Sequence, residues 1–319
     1  MPAARCLILL LLLLPALKSR AQADSTTGRH DTTIVVDRKI VTLKEVIVHR
    51  NMDVPSFIRR IQFDTSFYRA FKNLHEVSYT ALNDVRLFDG KDNQVAGLES
   101  RTRQTFDQGC RYMTVLEEHP SGDIRNRRGE WNYYTMSMYA GLFFTADTTC
   151  GEDNSVQAAD LSLKGKRGLE KHKEQLKMLF FNPGKKIPGI PFIGDKINIY
   201  EPPQADLYNF EIDMMPYQGN LAYVFRIYPR EGLSEAQKDQ LVFNEITTWF
   251  DETDMRIIGR KYDLSYDTGL YDFDVQMEVS ISRKGDLLLP TLLRYTGTWK
   301  YPFKKRETGV FTATLFDFQ

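Results

Sequence analysis

Between Tyr271 and Ser282 apolar and polar side chains alternate without a break, Tyr271, Phe273, Val275, Met277, Val279 and Ile281 against Asp272, Asp274, Gln276, Glu278, Ser280 and Ser282. Successive side chains of a strand point to opposite faces, so this period of two predicts a strand with one greasy and one wet side. A parallel strand covered on both faces would be apolar throughout, so the sheet is expected to be antiparallel. Runs of the same character occupy 195–201, 207–214, 221–229, 242–251, 254–267, 288–300 and 308–318, joined by short turns. Earlier in the chain, Val77, Tyr79, Ala81, Asn83, Val85 and Leu87 share one face, and strand-like runs follow at 95–107, 110–118 and 130–145. Thr33 to Val48 reads as two short strands split near Asp37, Arg38 and Lys39.

Helical spacing interrupts this pattern in two places. Asp53 can cap a helix with Pro55 in its first turn, and Phe57, Ile58 and Ile61 recur at helical intervals. A second turn begins at Asp64, Thr65 and Ser66 and carries Phe67, Tyr68 and Phe71. The longest predicted helix is 164–181, with Leu169, Leu176, Leu179 and Phe180 on one stripe and a stop at Asn182, Pro183 and Gly184. The Pro- and Gly-broken stretch 187–194 reads as a packed connector.

The N-terminus changes the picture. Arg5, an apolar core around Cys6 to Leu17 and the small-x-small pattern Ala21, Gln22, Ala23 form a signal peptide over 1–23. Its apolar run is shorter than the roughly 20 residues of a membrane-spanning helix, and no transmembrane helix is expected in the mature chain. The expected organisation is a signal peptide at 1–23, a flexible tail at 24–33, short strands and a helical segment at 34–73, and one antiparallel β domain at 74–319. Such a protein is destined for the periplasm or the outer-membrane surface.

Removing the leader takes away three basic residues and leaves 39 basic against 42 acidic ones. That balance argues against nucleic acid as a partner. Cys110 and Cys150 remain, either as a disulfide or as buried thiols. Five histidines are scattered without metal-site spacing, and no nucleophile motif or phosphate-cradling loop occurs. No catalytic residue, metal or cofactor is assigned, and the chain reads as non-catalytic. The basic helix, with Lys171 and Lys177 beside Phe180 and Phe181, fits either a membrane-facing surface or a helix packed on the sheet with a solvated back.

In Leu221 to Phe318, the run from Ala222 to Pro229, the strand–acidic turn–strand from Ile246 to Ile258, and Leu289-Pro290 leading into Leu292 to Tyr295 occur in order. This stretch resembles the C-terminal half of the LolA-like superfamily of periplasmic lipoprotein carriers. Val41 to Val48 separately resembles the last strand of carboxypeptidase-like regulatory domains. The carrier resemblance implies a β-rich α+β fold, a curved antiparallel sheet or incomplete barrel covered by helices. It further implies an apolar hollow for a lipid, a lipoprotein-derived group or a partner's apolar segment. The chain's own supply of aromatic and apolar strand residues offers Phe225, Trp249, Phe273, Val275, Met277, Tyr295 and Trp299 to line such a hollow. Two other readings stay open: an interaction module with a filled core, and an outer-membrane β-barrel.

Overall fold

A computed structural model describes residues 28–36, 39–48, 54–145, 147–152, 165, 175, 177–187, 193–267, 272–300 and 306–319. The signal peptide and most of the predicted 164–181 helix lie outside these residues. An N-terminal hairpin, β1 (Gly28–Val36) and β2 (Lys39–Val48), is followed by helices α1 (Val54–Phe63) and α2 (Ser66–Asn73). Strands β3 (Tyr79–Phe88), β4 (Gln94–Asp107) and β5 (Cys110–Gly122) lead into helix α3 (Tyr134–Phe143) and the short β6 (Thr149–Cys150). A seven-strand meander completes the chain: β7 (Tyr208–Tyr217), β8 (Asn220–Pro229), β9 (Phe243–Asp251), β10 (Ile257–Asp267), β11 (Asp272–Lys284), β12 (Leu287–Lys300) and β13 (Glu307–Phe316).

All thirteen strands join one curved, open sheet in the order β1-β2-β7-β8-β9-β10-β11-β12-β13-β3-β4-β5-β6. The last strand, β13, lies beside β3 and thereby closes the meander onto the strands formed earlier. Every pairing is antiparallel except that of β2 with β7, which the antiparallel expectation did not foresee. The core lies on one face, covered by α1, α2, α3 and a helical turn at 177–181.

The alternation in β11 places Phe273, Val275, Val279 and Ile281 in the core. Burying each such side chain contributes about 1.5–3 kcal/mol. The opposite face carries Arg86, Glu99, Arg101, Lys261, Asp274 and Arg294, all exposed. A membrane barrel turns an apolar band toward lipid, so an open sheet with this charged back does not fit the barrel reading.

Three local expectations need correction. Residues 28–33, assigned to a flexible tail, belong to β1. Residues 195–201 form turns instead of a strand. The run at 130–145 contains α3: Met136, Tyr139, Ala140 and Phe143 are all buried, the i, i+3, i+4, i+7 spacing of a helix face.

Candidate functional site

Two rows of directly opposed residues cross the inner face side by side. The first runs Tyr262, Met277, Tyr295, Phe311, Val85. The second runs Leu264, Val275, Gly297, Gly309, Leu87, so its middle has no side chains. Neighbouring groups have moved into that gap. A Cβ added to Gly297 would lie 2.0 Å from the Tyr295 hydroxyl oxygen, and one on Gly309 would lie 2.4 Å from Thr135 Cγ2. Glycine within a strand commonly marks such a close approach. Tyr295 stacks on Phe311 with centroids 4.4 Å apart, and Tyr139 of α3 meets Phe311 edge-on at 4.8 Å.

Over these rows lies a cavity of about 100 Å³. Its floor includes Val275, Met277, Tyr295 and Trp299. One wall is α3, through Thr135, Met138, Tyr139 and Leu142. The other is the 177–181 turn, through Lys177, Leu179 and Phe180. Met277 and Tyr295 stand in the middle of the inner face yet are only half buried, because they border empty space.

The polar atoms around the cavity are largely paired with one another. Tyr139 Oη donates to Asn83 Oδ1 at 2.6 Å, Tyr262 Oη to the Phe180 carbonyl, and Trp299 Nε1 to Tyr295 Oη. Burial pushes the Tyr262 hydroxyl up to about 12, the nearby Arg260 guanidinium offsetting part of the rise, and also raises those of Tyr139 and Tyr295. These hydroxyls stay protonated at neutral pH. Those of Tyr139 and Tyr262 donate hydrogen bonds, and that of Tyr295 accepts one from Trp299.

Both walls are tied down. At the start of α3 the Glu307 carboxylate accepts from the backbone N–H groups of Tyr134 (3.2 Å) and Thr135 (2.7 Å). This is an N-terminal cap supplied from β13, favoured by the helix dipole. Beyond the other end of α3, Arg111 donates to Thr145 Oγ1 and to both oxygens of Glu152. The Arg111 hydrogen bond holds the Glu152 carboxyl below its ordinary range. Cys110 and Cys150 form a disulfide alongside, with Cα atoms 4.0 Å apart. The 177–181 turn is held by β10: buried Arg260 donates to the Phe181 carbonyl (3.5 Å) and Thr248 Oγ1 (3.1 Å), with its guanidinium 4.5 Å over the Phe67 ring. A cation on the last carbonyls of a helix is favourable for the same dipole reason.

The structure divides the sequence-derived lining. Val275, Met277, Tyr295 and Trp299 converge on the cavity. Phe273 is buried one row further along, its ring 5.4 Å from Trp299. Phe225 is sealed under α1, 5.8 Å from Phe57. Trp249 is on the opposite face, stacked on Tyr217 at 4.7 Å. Its neighbours Thr248 and Phe250 are buried inward, so alternation alone turns Trp249 away. The membrane-facing reading also fails for two of its residues: Phe181 is buried against Tyr68 and Phe71, and Phe180 packs on Phe67 and Phe71. Lys177 borders the cavity, and Lys171 lies outside the described residues. Sequence reasoning missed the α3 wall and the opposed glycines. The in-strand glycines of Thr296-Gly297-Thr298 and Thr308-Gly309-Val310 were the available signal.

No family model matches the chain, and no curated protein matches it. Among solved structures it aligns with a domain from Vibrio parahaemolyticus described as an outer membrane lipoprotein-sorting protein domain, at 9% identity and a TM-score of 0.26, over 79% of this chain and 88% of the other. It also aligns with a triple-mutant porin of Rhodopseudomonas blastica, at 12% identity and a TM-score of 0.17, over 75% of this chain and 99% of the porin. Likenesses this distant assign neither a family nor a function.

Proposed function

We propose that this is an exported envelope protein that binds a lipid-like or lipoprotein-derived apolar group in the cavity over β10–β13, without catalysis. The observation that carries this reading is an almost wholly apolar cavity of about 100 Å³ among the described residues of the core. Apolar cavities stay dry, and one of about 150 Å³ accepts benzene. This one therefore suits one segment of an acyl chain, the remainder of which would extend past Lys177 and Phe180. Burial of apolar surface supplies the binding energy, at about 25 cal/mol per Å².

Native mass spectrometry of gently purified protein, together with uptake of a lipophilic dye, tests the proposal. A bound acyl species, or dye uptake abolished by Val275→Trp with the fold intact by circular dichroism, supports it. Ligand-free protein that takes up no dye removes the binding claim and leaves the fold standing.

A second reading has its own observation. Tyr112, Val115 and Leu116 of β5 are exposed large side chains on a strand paired by β6 only at Cys110 and Arg111 among the described residues. That favours an interaction module that recruits a partner through β5.

A further inference from the structure

The cavity lining includes a buried hydroxyl left without a hydrogen bond by the surrounding fold, and it gives information about the ligand. Thr135 stands in the first turn of α3 and is 4% exposed. Its backbone N–H is taken by Glu307, but its Oγ1 has no hydrogen-bond partner. The polar groups of Tyr139, Tyr262, Tyr295 and Trp299 around the same space are hydrogen-bonded within the protein. Leaving a hydroxyl buried without a partner is destabilising, because it forfeits its hydrogen bonds to water and gains none in return. A valine has nearly the same shape and would avoid that cost.

Building on the cavity reading above, we propose that Thr135 Oγ1 is the polar contact of the bound ligand, which is an acyl chain carrying its carbonyl oxygen into the cavity. A threonine hydroxyl can donate or accept, and two features of its surroundings favour an acceptor on the ligand. Among the described residues the charged side chain lining the cavity is a cation, Lys177. No carboxylate of the described residues borders the space; Glu307, at the start of α3, is already engaged by two backbone N–H groups. A ligand with an ester or carboxylate oxygen matches this surrounding, and a plain hydrocarbon leaves the hydroxyl as orphaned as before.

The experiment uses the whole mature protein and its Thr135→Val variant, with methyl hexanoate and n-octane as chain-matched probes that displace a lipophilic dye. Wild type should bind the ester more tightly than the alkane. Thr135→Val should weaken ester binding about fivefold, the equivalent of one hydrogen bond, while alkane binding holds or improves. Ligand-free Thr135→Val should melt no lower than wild type, since it removes an unsatisfied group. If both probes bind and the variant affects them equally, or affects neither, the hydroxyl assignment is overturned and the cavity stands. A variant that melts lower when ligand-free also overturns it, because the hydroxyl would then have a structural partner. If neither probe binds wild type, the cavity reading falls and this assignment falls with it.

Discussion

The two halves of the inner face are built on the same alternation but filled differently. Over β7–β9, Phe210, Phe225 and Phe250 are fully buried, and α1 inserts Phe57 among them with ring centroids 5.3 and 5.8 Å from Phe250 and Phe225. Over β11–β13, Tyr295 and Thr135 of α3 take up the places of the side chains missing at Gly297 and Gly309, and a cavity remains between the sheet, α3 and the 177–181 turn. A close-packed interior tolerates few voids. One half therefore serves stability, while the other retains space. The lesson is that period-two patterning shows which face is apolar and says nothing about how full that face is.

The largest effect should come from the filled half. Phe225→Ala is expected to cost about 3–5 kcal/mol, read from the midpoint and slope of urea unfolding. A cost below that of a comparable truncation at Met277 would erase the contrast between the halves. Next comes the tie beyond α3. Cys110→Ser opens a bridge spanning 40 residues and should lose about 2–4 kcal/mol, with α3 amides gaining hydrogen-exchange rates ahead of those in β8 and β9. Uniform acceleration across the sheet would show that the disulfide does not act locally on the cavity wall.

Smaller changes probe the gap itself. Gly309→Ala places a methyl against Thr135 Cγ2 and should destabilise by about 1–3 kcal/mol, measured by thermal melting, while displacing α3. Val275→Ile adds a methylene toward the cavity and should stay within about 1 kcal/mol of wild type while reducing dye uptake; a large penalty would mean that no space exists there. The pH response should be the smallest. Glu152 is held below its ordinary value, near 4.5, chiefly by Arg111. Its stabilising contribution is fully present above about 4.5 and disappears as the pH falls through the depressed folded value. Glu152→Gln should flatten that acid limb, and an unchanged limb would assign the loss to other carboxylates. The pair is partly exposed, so screening keeps its effect small.

Much of this was readable beforehand. The β7–β13 meander followed from alternation and turns, and the β1–β2 split fell at Asp37, Arg38 and Lys39 as the pattern indicated. The α3 helix was not legible, because its aromatic and β-branched residues favour strands while its helical stripe emerges only at Met136, Tyr139, Ala140 and Phe143. The cavity was legible only in part. Val275, Met277, Tyr295 and Trp299 are strand residues whose direction is set by parity. How they pack depends on which strands bring Gly297 opposite Gly309, where Tyr295 and Thr135 move in, a long-range register that no local window contains. Trp249 was a parity error: it adjoins inward-facing Phe250 and could not share its direction.

The chain's three tryptophans allow the central claim to be measured. Trp299 borders the cavity, while Trp249 lies on the far face of the same sheet. In variants retaining only one of these, with the other two replaced by Phe, titration with a brominated acyl ester should quench Trp299 saturably and leave Trp249 unchanged. Equal quenching of both, or none at Trp299 at ester concentrations that displace the dye, would contradict an acyl site over β11–β13.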